Sequence, residues 1–131
     1  MALRRMLDQK LIRVSIALVW LYQGLWCKVL GWAPQQKELV ADVPFIGHVA
    51  ARTVLVSLGL IECSIAAWVL SGKRMRHAAL AQTTLIVAMN AGGIIWAWRL
   101  IPDVGGILVQ NFAFLVLIWI AAEGSTYAVQ I

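Results

Sequence analysis

One carboxylate lies inside an apolar run of this sequence, and it is the residue best suited to chemistry. Glu62 stands near the middle of Thr53–Leu70, where almost every other residue is apolar. A charged side chain at the centre of a membrane helix costs about 2.5–3.5 kcal/mol on insertion scales, so Glu62 needs a cationic partner or a proton. We therefore expect any ligand or proton site of this chain to include Glu62.

The other three long apolar runs also carry polar side chains near their middles. These are Gln23 in the first run, Asn90 in the third, and Gln110 and Asn111 in the fourth. At about 1.5 Å of rise per residue, all of them and Glu62 fall within about 8 Å of the midplane of their runs. Turned inward, they would form one hydrogen-bonded network with Glu62 as its acidic member. The alternative is that they only hold membrane helices together, which is the favoured interpretation for the amides and remains open for Glu62.

Lys28 stands at the end of the first apolar run, about two helical turns from the depth of Glu62. Its position alone favours an ammonium that snorkels to the membrane surface. The alternative is that Lys28 turns inward and forms an ion pair with Glu62. Without a cation, Glu62 is expected to be protonated and to act as a hydrogen-bond donor.

Small residues recur at four-residue spacing in two of the runs. Gly59, Cys63 and Ala67 form one such series, and Gly93 and Ala97 form another. This pattern is typical of membrane helices whose backbones approach closely, and it predicts tight helix packing at both places.

Metal chemistry and familiar enzyme chemistry find little support in the sequence. The two histidines, His48 and His77, lie outside the centres of the apolar runs, and no Cys/His cluster has zinc spacing. Cys27 and Cys63 differ in depth by about 10 Å, too far for a disulfide. Phosphate-loop and hydrolase motifs are missing, so the sequence predicts no metal, no evident cofactor and no enzyme activity for the isolated chain.

Composition assigns the chain to the membrane proteins. It has 131 residues, of which 62% are hydrophobic and 13% charged, and its mean hydropathy is +0.83. Soluble domains are about half apolar and about a quarter charged. The net charge of +5 comes from basic residues that flank the apolar runs, so it indicates membrane topology and not a nucleic-acid partner.

The predicted fold is an all-α membrane four-helix bundle in a single domain, with the lipid bilayer as its surroundings. The four predicted spans are Ile12–Leu30, Thr53–Leu70, His77–Trp98 and Val104–Ala122. Between the first two, on the outer side of the membrane, the segment Gln35–Asp42 predicts a short amphipathic helix that either lies on the membrane surface or caps the bundle.

The distribution of basic residues predicts the orientation. Seven lie on the side of the two termini: Arg4, Arg5, Lys10, Arg13, Lys73, Arg74 and Arg76. Four lie on the opposite side: Lys28, Lys37, Arg52 and Arg99. The positive-inside rule therefore predicts an integral protein of a bacterial-type inner membrane with both termini in the cytoplasm.

The first apolar run resembles the first span of DoxX-like proteins. That span often carries an aromatic residue, then a glycine, then a lysine near its end. In Arg13–Trp32 the match is carried by Trp20, Tyr22, Gly24 and Lys28.

Two later segments are similar to the same family. Gly59 and Glu62 match the glycine and glutamate of its second span, and Pro102–Asn111 resembles its last loop and the asparagine that follows. The resemblance extends over about Arg13 to Ala122. One departure is Gln110, where a basic residue would be expected, and it weakens any transfer of an anion-binding role to that position.

The resemblance implies a compact bundle in which Lys28, Glu62 and Asn111 are family polar positions; Gln23 and Asn90 join them through the depth argument above. Members are similar to small subunits of membrane sulfur or quinone oxidoreductases, and distant relatives act as assembly factors. Our first hypothesis is an accessory or anchor subunit of a redox system with quinone as the candidate ligand. The alternatives are a non-catalytic assembly or interaction factor and, with less support, a transporter of protons or small solutes. The expected partner is another membrane protein or a second copy of the chain.

Overall fold

The described part of the protein contains five α-helices. The computed structural model describes the backbone of residues 2–130 and the side chains of residues 3–47 and 49–124. The helices are α1 (Ala2–Leu21), α2 (Pro34–Ala41), α3 (Gly47–Ser71), α4 (Met75–Ala97) and α5 (Val104–Gln130). A π-helical segment, Tyr22–Val29, continues α1, and one turn of 3₁₀-helix, Trp98–Leu100, continues α4. The described backbone contains no strand, and the predicted all-α fold is confirmed.

Three helices are long and apolar enough to cross a membrane: Val49–Ser71, Met75–Leu100 and Val104–Gly124. The first helix qualifies only as a bent pair, in which Leu3–Val29 and Pro34–Ala41 meet at 78°. Within the described residues the spans therefore number three, or four when the bent pair is counted as one. The bend falls at the predicted end of the first span, and α2 corresponds to the short helix predicted at Gln35–Asp42.

The helices end at the residues that the sequence marks as breakers. Gly31 and Gly72 adopt φ values of 76° and 70°, a left-handed backbone that glycine takes without steric cost. Pro34 occupies the first turn of α2, where a missing N–H group is harmless. Helices α1 and α5 extend beyond the predicted spans at the ends of the chain, because polar residues outside the hydrocarbon region can continue a helix.

The extent of contact differs from one pair of helices to the next. Helix α1 packs on α3 and α5, α5 packs on α4, and α2 lies mainly on α3. Helices α3 and α4 are joined by a tight turn but make only sparse contact along their length. The space between α3 and α4 is therefore open along part of their length. We call this space the wedge, and α2 contacts both of its sides.

One end of the bundle is tightly packed. Its core contains Ile16, Trp20, Ile65, Val69 and Ile118, all at most 6% exposed. The second half of α1, the α3–α4 turn and the last part of α5 meet here, which we call the turn end. The Arg13 side chain occupies the space beside Gly72, and Arg76 pairs with Glu123 across 3.3 Å.

Candidate functional site

A glycine-to-glycine crossing holds the π-helical segment against α3. A Cβ atom on Gly59 would lie 2.7 Å from the Gly24 carbonyl oxygen and 2.9 Å from the Cβ of Lys28. A Cβ on Gly24 would lie 2.7 Å from the Gly59 oxygen and 2.9 Å from the Cβ of Glu62. Only glycine at both positions permits this approach, and the approach sets Lys28 directly beside Glu62.

The predicted close packing at Gly93 is not found. A Cβ there would meet only the Cδ1 of Ile101, at 3.7 Å, and one on Gly92 would meet only the ring of Trp96, at 3.9 Å. These are ordinary contacts, so no neighbouring helix requires glycine at either position. The small-residue pattern was right at Gly59 and wrong at Gly93.

The wide turns of the π-helical segment help to direct Lys28 inward. The Leu30 N–H donates to the Leu25 carbonyl five residues earlier, at 2.8 Å, and Gly24, Cys27 and Lys28 are buried on one side. π-helical turns inside helices occur frequently at functional sites. No sequence rule that we applied distinguishes Tyr22–Val29 from an ordinary α-helix.

Lys28 and Glu62 form a buried ion pair. The Nζ of Lys28 lies 3.0 Å from Oε1 of Glu62 and donates a hydrogen bond to Oε2 at 3.1 Å. The same ammonium donates to the Gln23 carbonyl oxygen at 3.4 Å. The two side chains are 8% and 0% exposed, so the snorkelling that position alone favoured for Lys28 is wrong. The nearby carboxylate and the glycine crossing retain the ammonium inside the bundle.

A cavity of about 550 Å³ opens beside this pair, in the half of the bundle away from the turn end. All six polar residues singled out from the sequence line it: Gln23, Lys28, Glu62, Asn90, Gln110 and Asn111. Its walls are otherwise mostly apolar, with Leu58 from α3, Met89 from α4, Phe114 from α5 and Val40 from α2 among them. The structure thus brings the predicted residues to one place, and their functional role stays a prediction.

Five of the six polar residues form two clusters and not the single predicted network, and Gln110, which is exposed, belongs to neither. In the first, Lys28 bridges Glu62 and the backbone of Gln23, whose side chain accepts a hydrogen bond from Gln36 at 3.2 Å. In the second, Asn111 donates to Asn90 at 2.8 Å, and Asn90 donates to a backbone carbonyl of its own helix at 2.7 Å. Among the described residues no hydrogen bond joins the clusters, because the cavity lies between them.

Two further residues contribute to the site without having been chosen from the sequence. Gln36 belongs to α2, and its bond to Gln23 fixes that helix over the cavity. Gln82 is 1% exposed and accepts a hydrogen bond from the indole of Trp20, a residue that lines the cavity, at 2.8 Å. The polarity of both was visible in the sequence, and capping of the bundle was one of the two positions expected for the α2 segment.

Nothing in the described part of the chain groups metal ligands. No set of three or more His, Cys, Asp or Glu side chains there could hold an ion, and the side chain of His48 lies outside the described residues. Cys27 is buried and Cys63 half-buried, and both are free thiols.

The family assignment rests on a comparison of the whole sequence. The profile of the DoxX-like family matches residues 17–119, which include the glycine crossing, the ion pair and both asparagines. No curated protein and no solved structure matches the chain. The match covers most of the sequence, so the chain belongs to the DoxX-like family of membrane proteins.

Proposed function

We propose that this protein is an accessory membrane subunit of a quinone-linked redox system and that a quinone head group binds in the cavity beside Lys28 and Glu62. The observation that carries the proposal is the cavity itself, which is mostly apolar and has the buried Lys28–Glu62 ion pair in its lining. A volume of about 550 Å³ lies within the range of about 300–1,000 Å³ typical of small-molecule sites.

The arrangement of polar groups suits a flat ring with polar atoms on opposite sides. The ion-pair cluster and the Asn90–Asn111 pair both line the cavity, and apolar side chains lie between them. A quinone ring has carbonyl oxygens on opposite edges and apolar faces. Donors on the two clusters would fix its orientation, while the walls would bury its ring.

The route to the cavity also suits a lipid-soluble ligand. The sparse contact between α3 and α4 leaves a wedge, and residues of both helices line the cavity. A prenyl tail could leave through this wedge and remain in the bilayer. The redox partner would be a second membrane protein, and this chain would present the quinone head group to it.

Filling the cavity tests the proposal. Gly93 lines the cavity and has room for a side chain, whereas Gly105 is an exposed glycine near the start of α5 that does not line it. In lipid nanodiscs, the purified wild-type protein should bind a short-chain quinone saturably, in a one-to-one ratio. Gly93→Phe should weaken this binding at least about tenfold, because the phenyl ring occupies the ligand's place. Gly105→Phe should leave it unchanged, and equal affinity in all three proteins would contradict the proposal.

We further propose that the bent first helix counts as a fourth span and that the turn end faces the cytoplasm of a bacterial-type cell. Burial of Lys28 in an ion pair removes it from the flanking charges, so the basic excess at the turn end becomes larger than the sequence count indicated. A membrane-impermeant thiol reagent should label Glu38→Cys on intact cells, in a background without the native cysteines. Ser71→Cys, in the α3–α4 turn, should react only after lysis. The reverse pattern would invert the topology.

A further inference from the structure

We infer that the cavity selects uncharged ligands and rejects anions, and that Glu62 is the residue that sets this specificity. The inference rests on the proposed function, because it names the class of ligand that the same cavity accepts. The cavity contains a buried lysine, which by itself would attract a carboxylate, a sulfur oxyanion or an ionised phenol. Whether Lys28 attracts such an anion depends on the groups that already contact its ammonium.

The ammonium of Lys28 is already committed. Its Nζ lies within 3.1 Å of both carboxylate oxygens of Glu62 and also donates to the Gln23 carbonyl. Two of the three ammonium protons are used in hydrogen bonds, and the Oε1 of Glu62 is a buried acceptor that receives no hydrogen bond. This oxygen lies 3.0 Å from the ammonium, and its negative charge opposes the approach of an anion. A ligand anion would have to displace Glu62, which is fully buried, or approach a pair whose charges cancel.

No other charged side chain among the described residues lines the cavity. Arg52 and Arg99 are exposed and do not line it. The start of α5 is closed to an anion as well, because Asp103 accepts a hydrogen bond from the Gly106 N–H at 2.9 Å. The cavity is therefore neutral as a whole.

The remaining polar groups are neutral amides. Gln23, Gln36, Asn90, Gln110 and Asn111 line the cavity and are each able to donate and accept hydrogen bonds. Amides can solvate a carbonyl or a hydroxyl group, but they do not compensate the desolvation of a full charge. A neutral quinone or quinol can enter such a cavity, whereas an anion of the same shape cannot do so without a large loss of affinity.

A matched pair of ligands tests this. One is a 2-methyl-1,4-naphthoquinone with a short alkyl chain at position 3, and the other carries a hydroxyl in place of the methyl and is an anion at neutral pH. In nanodiscs made of uncharged lipid, the wild-type protein should bind the neutral compound at least about tenfold more tightly than the anion. Glu62→Gln removes the negative charge but keeps an amide oxygen that can accept a hydrogen bond from Lys28 and hold the ammonium at the cavity, so it should reduce or reverse this preference. Glu123→Gln, the same change in an exposed ion pair, should preserve it.

The outcomes separate the two proposals. Equal binding of both naphthoquinones by the wild type would overturn the selectivity and leave quinone binding intact. If Glu62→Gln kept the wild-type preference for the neutral compound, the assignment of this selectivity to Glu62 would be overturned. Binding of neither compound would overturn this inference together with the proposed function.

Discussion

Replacing Lys28 with methionine, or Glu62 with leucine, should lower the free energy of unfolding by about 3–5 kcal/mol, because each change leaves one buried charge without its partner. The loss should be larger for Lys28→Met. Without Lys28 the fully buried Glu62 must take up a proton, whereas an unpaired Lys28 near the end of its helix can extend towards the membrane surface. The double variant Lys28→Met/Glu62→Leu should cost less than either single change, since it leaves no unpaired charge.

The two single variants and the double variant form a double-mutant cycle, and an exposed ion pair in the same protein provides its control. Arg76 and Glu123 lie 3.3 Å apart, with side chains 59% and 51% exposed. Their coupling should be at most about 1 kcal/mol, as is usual for surface ion pairs. Unfolding in mixed micelles, titrated with a denaturing detergent, would give both cycles. Single changes at the buried pair that cost no more than those at the exposed pair would show that Lys28 and Glu62 are not paired as described.

The second large effect is expected at the glycine crossing. Gly59→Ala should destabilise the protein by about 1–3 kcal/mol, because its methyl group would press on the Gly24 carbonyl oxygen and on the Lys28 side chain. The helices must separate to relieve these contacts, and the ion pair then lengthens. The cost should therefore appear in ligand affinity as well as in stability.

The matched control is Gly92→Ala, in which the added methyl group has room. Alanine is favoured over glycine inside a helix by about 0.5–1 kcal/mol, so this change should leave stability unchanged or raise it. Replacing glycine with alanine should thus lower the stability at Gly59 and leave it unchanged or raise it at Gly92. Thermal unfolding midpoints in mild detergent would measure both, and a loss at Gly92 as large as that at Gly59 would contradict the assignment of the crossing.

Hydropathy and the cost of burying polar groups were enough to predict the membrane class, the helices and the polar residues that meet in the cavity. The argument from the cost of burial held because a carboxylate in an apolar helix must be shielded from lipid and paired. Glu62 lies inside the bundle and is paired with a cation. Breaker residues placed most of the helix ends for a similarly local reason, since Gly31 and Gly72 need left-handed backbone.

What could not be predicted depends on contacts between distant segments. The direction of Lys28 follows from a glycine 31 residues away, because the approach of Gly59 places Glu62 beside it. The single network expected from depth became two clusters, since equal depth does not bring side chains within hydrogen-bonding distance across a cavity. The position of α2 over the cavity depends on the 78° bend after Val29, and Gly31 and Pro34 mark the place of this bend in the sequence but not its angle.

The most direct test of the central claim is to locate a bound quinone by photolabelling. A photoreactive short-chain quinone, activated in nanodiscs containing the purified protein, should label residues that line the cavity, such as Met89 and Leu58. An excess of the unlabelled quinone should prevent this labelling, and Gly93→Phe should reduce it. Labelling confined to exposed residues on the outer face of α5, such as Phe112 and Val116, and unaffected by competitor, would contradict a quinone site beside Lys28 and Glu62.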